Sequence, residues 1–182
     1  MRWKPILFTG LAAAGLVTAA VWLRRRKPTT APPFVLDHLA LPALLGSWYE
    51  LARYGFDQAE DRVGTRYRLA ASDAGSLRLE ARYHVQRLDA PEQSFEALLQ
   101  RPPQAAPAGR LRLGRHAIWV LELSPTGDYL VAATPDRRGL WVLSRQPELA
   151  EPVWEQLRER LQAQGFDPER LIRTPQAVVP AE

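Results

Sequence analysis

Three histidines, His38, His84 and His116, are the side chains most suited to proton transfer or metal binding, and they are scattered. No pair of them stands at a metal-ligand spacing, and each fits a surface or strand-end position. The chain has no cysteine, which removes thiolate catalysis, zinc–thiolate sites, disulfides and lipid attachment through a cysteine. A G-x-S-x-G nucleophile elbow and a glycine-rich phosphate loop are also missing. One carboxylate stands out. Glu50, in "WYELARYG", shares strand parity with Trp48 and is expected to point into a core. There it could hold a polar ligand head, act with a raised pKa, or serve structural hydrogen bonds. No metal or cofactor is expected, and binding is expected rather than turnover.

The elements that position Glu50 are strands. "VGTRYRLA" alternates Val63, Thr65, Tyr67 and Leu69 against Arg66 and Arg68. "SLRLEARYHV" alternates Leu77, Leu79, Ala81, Tyr83 and Val85 against charged residues. The turn-rich "SDAGS" joins them as a hairpin. "SFEALLQ", "RLRLG", "HAIWVLELS", "YLVAAT" and "LWVLSR" follow, separated by loops rich in Pro, Gly and Asp. With "WYELARYG" in front this makes eight sequential strands without an intervening helix. An antiparallel up-and-down series of this kind loses both edges by closing into a barrel. Eight strands leave room inside for side chains or one small ligand.

One helix follows, "PVWEQLRERLQAQG". Trp154, Leu157 and Leu161 form its apolar stripe, with Pro152 in the first turn. Beyond it Asp167 is a candidate cap before Pro168, and "LIRT" a candidate ninth strand. The fold expected is all-β: an eight-stranded antiparallel barrel with a C-terminal helix. The inward positions then include Glu50, Tyr67, Leu79, Tyr83, Phe95, Leu99, Trp119 and Leu121, the candidate cavity lining.

Charge divides the chain in two. The net charge is +4, but residues 1–33 hold Arg2, Lys4, Arg24, Arg25, Arg26 and Lys27 and no acid. Residues 34–182 therefore carry 18 basic and 20 acidic side chains. This body is no basic nucleic-acid binder, and nucleic acid is not expected as a partner. Residues 5–23 are uncharged and, as a helix, would span ~28 Å, close to the ~30 Å core of a bilayer. Residues 1–27 read as a membrane anchor or a cleaved export signal. The apolar run continues past Ala20 and favours the anchor, an N-terminal transmembrane helix. Residues 28–33, "PTTAPP", read as a stiff linker and 34–182 as the barrel domain.

Several motifs together are specific. "GSWYELARY" resembles the G-x-W opening of the first lipocalin strand. "ATPDRRGLWVLSR" and "AIWVLELS" resemble late strands of the bacterial lipocalin and apolipoprotein D-like branch, and "GFD" after the helix matches too. The resemblance covers about residues 35–176. It implies that Trp48 packs at the closed end of the barrel, that Arg145 lies across it, and that Gly46 lets the chain pass close by. It implies as ligand a small hydrophobic molecule, a fatty acid or lysophospholipid. It also implies a cell-envelope setting, in the family the outer membrane; the apolar segment at residues 5–23 instead points to an anchor in a bacterial inner membrane with the barrel in the periplasm. Flanking charges leave a cytoplasmic body open as well. Bacterial members of the branch usually carry a lipid-attachment cysteine, where this chain offers an apolar segment. An enzyme using Glu50 inside the barrel and a filled-barrel envelope assembly or stress module are the competing functions.

Overall fold

The computed structural model describes residues 33–55, 61–72, 75–102 and 107–177. The anchor at 5–23 and nearly all of the linker lie outside the described residues. Among the described residues no helix is long and apolar enough to cross a membrane.

Eight strands run antiparallel in chain order: β1 (Gly46–Tyr54), β2 (Arg62–Ala71), β3 (Leu77–Val85), β4 (Gln93–Gln100), β5 (Arg110–Leu113), β6 (His116–Leu123), β7 (Tyr129–Ala133) and β8 (Leu140–Ser144). Each pairs with the next, and β1 pairs with both β8 and β2, so the sheet closes on itself. Helix α1 (Glu151–Ala163) follows, and β9 (Ile172–Arg173) then pairs with β1.

The β1–β2 seam is incomplete. These strands pair only from Gly46 to Tyr49. Past that point the C-terminal segment fills the space: the Thr174 amide donates to the Leu51 carbonyl at 2.9 Å, and the Gly64 amide donates to the Pro175 carbonyl at 2.7 Å. Gln176 Nε2 donates to the Glu50 and Thr65 carbonyls. Backbone groups that a splayed seam would leave bare are thus satisfied.

Two apolar clusters occupy the two faces of the wall. The inner one contains Leu44, Trp48, Leu69, Leu77, Leu99, Leu111, Val120 and Leu130. The outer one joins Leu51, Tyr54, Leu121, Val131, Leu140 and Val142 to Trp154, Leu157 and Leu161 of α1. The helix therefore covers β1, β6, β7 and β8, and those strands are apolar on both faces. Arg160 clamps it there, donating from Nε and Nη2 to Glu122 at 3.0 and 2.9 Å. The Tyr129 hydroxyl donates to the same carboxylate at 2.7 Å. Asp167 accepts from the Glu169 amide at 3.2 Å, closing the turn after the helix.

Bulges decide which residues face in. On β1, Glu50 pairs with Leu143 but Ala52 with Val142, so one extra residue sits at Leu51. Leu51 and Ala52 both face the helix, and Arg53 returns to the interior beside Glu50. β6 has the same shift between Val120 and Glu122. Trp119 and Leu121 consequently belong to the outer cluster. Glycine is needed at Gly55, with φ +90°, where a Cβ would lie 1.5 Å from the Arg138 carbonyl oxygen.

Candidate ligand-binding site

One end of the barrel is sealed. A 3-10 turn over Leu41–Leu44 lies beneath β1, and Trp48, fully buried, donates from its indole nitrogen to the Leu44 carbonyl at 2.8 Å. The Arg145 guanidinium lies 3.5 Å from the centroid of that indole. It donates to the Ser47 and Ala43 carbonyls at 2.8 and 3.2 Å. Gly46, φ +96°, passes so close that a Cβ there would approach Arg145 Nη1 to 3.1 Å. Trp48, Arg145 and Gly46 thus form the seal and stay outside the cavity wall.

Above the seal the barrel encloses a cavity of about 260 Å³. Its deep part is apolar, walled by Leu44, Leu69, Leu111, Val120, Leu130 and Leu143. Of the residues expected inside, Glu50, Tyr67, Leu79, Phe95 and Leu99 do line it. Tyr83 does not. It stands at the rim, 6.3 Å from the Phe95 ring, with Arg62 stacked over it. Trp119 and Leu121 are corrected outright. Strict alternation sends them inward with Glu122 facing out, but the β6 bulge and the covering helix put both on the outer face, and Ile118 and Val120 line the cavity instead.

The polar part of the wall is a buried network around Glu50. The carboxylate is 1% exposed and Arg53 is 3% exposed. Arg53 Nη1 donates to Glu50 Oε1 and to Thr174 Oγ1, and Thr174 Oγ1 donates to Glu50 Oε1. The Tyr67 hydroxyl donates to Glu50 Oε2 at 2.5 Å. Arg53 Nη2 reaches the Arg62 carbonyl at 2.9 Å. Burial, and then the adjoining Glu50 charge, push the Tyr67 phenol well above its ordinary pKa, so it remains a neutral donor. The ion pair satisfies its own charge within the wall, as a buried pair must.

Arg53, Arg62 and His116 line the cavity without having been expected there. Arg53 lies three residues after Glu50, a spacing that strict alternation puts on opposite faces and that only a bulge brings to one face of a strand. Of the other histidines, His84 bonds through Nδ1 to the Ala90 carbonyl at 2.6 Å in the β3–β4 connection. Among the described residues no group of His, Asp and Glu could hold a metal ion.

Comparison with known proteins agrees with this architecture. Residues 39–176 match the family model described as a lipocalin-like domain. Temperature-induced lipocalin-1 of Arabidopsis thaliana is 27% identical over 158 residues, covering 81% of this chain and 85% of that protein. The outer membrane lipoprotein Blc of Citrobacter freundii is 27% identical over 176 residues, covering 94% and 96%. Among solved structures, insecticyanin from the tobacco hornworm Manduca sexta superposes with a TM-score of 0.64 at 17% identity, covering 81% of this chain and 86% of that one. Lobster apocrustacyanin A1 gives a TM-score of 0.62 at 13% identity, covering 82% and 93%, a likeness of fold. The barrel, its sealed end and the match over most of its length lead to one conclusion: this chain belongs to the lipocalin family.

Proposed function

We propose that the barrel binds one small hydrophobic molecule with a single acyl chain, a fatty acid or a lysophospholipid, and carries it in the service of envelope lipid maintenance. The observation that supports this is the cavity itself: about 260 Å³, apolar in depth, with its polar groups confined to one wall and the rim. Small-molecule sites usually measure ~300–1,000 Å³, so the space suits one chain better than two. Burying ten methylenes would contribute ~8 kcal/mol at ~0.8 kcal/mol each, enough to offset the lower range of association costs.

Binding rather than catalysis fits the state of Glu50. Both its oxygens accept hydrogen bonds, one of them from a buried guanidinium, so it is poorly placed to take a proton from a substrate. A filled interaction module fits less well, because such a barrel has no reason to keep apolar space above its seal.

Residues 5–23 hold the protein in a membrane, in this reading the bacterial inner membrane with the barrel in the periplasm. The relatives named as outer membrane lipoproteins support an envelope setting, while the absence of cysteine here favours a peptide anchor over a lipid one. Titrating the full chain with palmitic acid tests the function, because Trp141 lines the cavity and reports occupancy by its fluorescence. Saturable quenching at one ligand per chain is the expected result. Unsaturable signals from a folded barrel would overturn it.

A further inference from the structure

The cavity contains one cation more than its internal pairing uses. Glu50 is matched by Arg53, whose nitrogens are also engaged by Thr174 and the Arg62 carbonyl. Arg62, at the first position of β2 and also in the cavity wall, has no such match. None of the ion pairs among the described residues includes it, and no hydrogen bond from its guanidinium is found among them. What holds it is aromatic: its Cζ lies 4.1 Å from the Tyr83 ring centroid and 5.4 Å from that of Phe95. Stacking engages the face of a guanidinium and leaves its N–H edge for an acceptor. This edge stands at the mouth, at the end of β2 away from the seal, because Arg62 pairs with Val85 while Leu69 pairs with Gly46.

A guanidinium bordering an apolar cavity costs desolvation unless an anion meets it, and a carboxylate or phosphate meets it with two parallel hydrogen bonds. Toward the seal the wall is Leu44, Leu111 and Leu130, where a charged group would have no partner and an acyl chain would. We propose that Arg62 is the head-group residue of the site: it pairs with the anionic head of a single-chain amphiphile whose tail points toward the Trp48 seal. This rests on the lipid-binding reading above and deepens it. The selected chemistry is a carboxylate or phosphate monoester head, in preference to a neutral alcohol or a zwitterion. Tyr83 thereby has a role at the rim, holding the guanidinium in orientation, although it does not line the cavity.

The test uses the full chain and four C16 probes: palmitate, palmitoyl lysophosphatidic acid, palmitoyl lysophosphatidylcholine and hexadecanol. The unaltered protein is expected to bind palmitate, lysophosphatidic acid or both at least ~10-fold more tightly than hexadecanol and lysophosphatidylcholine, a difference of ~1.4 kcal/mol. Whichever anion binds more tightly identifies the head as carboxylate or phosphate. Arg62→Gln is expected to erase the preference for anions while leaving hexadecanol affinity within ~2-fold, as loss of a charge-assisted pair predicts. Arg62→Lys keeps the charge without the fork and should retain part of the preference; it also serves if Arg62→Gln does not fold. The proposal is overturned if the unaltered protein shows no preference for anions, or if the preference persists in Arg62→Gln or, where that variant does not fold, is undiminished in Arg62→Lys. Failure of all four probes to bind would instead remove the lipid-binding reading, and the head-group proposal with it.

Discussion

The guanidinium of Arg145 lies 3.5 Å from the centroid of the Trp48 indole, joining the strand that opens the barrel to the residue just after the strand that completes it. The two are 97 positions apart in the chain, and the same guanidinium also ties down the Ser47 and Ala43 carbonyls. Arg145→Ala removes the stack and both bonds. It is expected to lower stability by about 1–3 kcal/mol. Trp48→Ala empties a fully buried site and should cost about 3–5 kcal/mol. Chemical denaturation measures both. An Arg145→Ala protein as stable as the parent would show the seal to be unimportant.

Glu50 and Arg53 make a sharper prediction. Glu50→Gln leaves a guanidinium that is 3% exposed without its counter-charge, a change worth about 3–5 kcal/mol for a buried pair. The double variant Glu50→Gln, Arg53→Met removes charge from both sides and should regain much of that loss. Additive destabilisation in a double-mutant cycle would contradict the coupling. Thr174→Val tests the contribution of the C-terminal segment to the same network, with an expected loss of about 1–3 kcal/mol.

Alkaline stability should follow the tyrosine at the helix clamp. Burial and the neighbouring Glu122 push the Tyr129 phenol to about 12 from an ordinary 10.0. A raised folded-state pKa means that the native state keeps a proton the unfolded state has lost. The associated stability is complete below pH 10 and declines as pH rises toward 12. Tyr129→Phe should flatten that part of the decline in melting temperature. Tyr54, raised to about 12 chiefly by burial, contributes to the same window, so the double phenylalanine variant should flatten it further. Phenolate absorbance appearing near pH 10 at both positions in the folded protein would refute the assignment.

Most of the architecture was legible because its physics is local. Alternation in β3 and in β2 from Arg66 onward marked a half-buried wall, and the Trp154, Leu157, Leu161 stripe marked the face of α1 that docks. The interior of β6 was not legible. Its residues are apolar on both faces because a helix covers the outside, and a single bulge reverses parity midway, so Trp119 and Leu121 were expected in and are found out. Arg53 was hidden by the matching bulge on β1. Arg62 was hidden by a third bulge, the register shift between Val63 and Arg66 on β2, which turns it to the cavity face where strict alternation with Tyr67 and Leu69 points it outward; Tyr83 and Phe95 then meet it there.

The space above Trp48 is where a ligand is expected to sit. Ala132 lines that space and belongs to neither the seal nor the Glu50 network, so a larger side chain there takes up ligand volume while leaving the residues of both unchanged. The decisive measurement is calorimetric titration of palmitic acid into the full chain and into its Ala132→Phe variant, with far-ultraviolet circular dichroism confirming the barrel in both. One site per chain in the parent and at least ~10-fold weaker binding in the variant is the predicted result, since an aromatic ring placed in the cavity takes volume the acyl chain needs and a packed interior yields little to make room for both. Equal affinity in both proteins, or no saturable binding by the folded parent, would contradict the account.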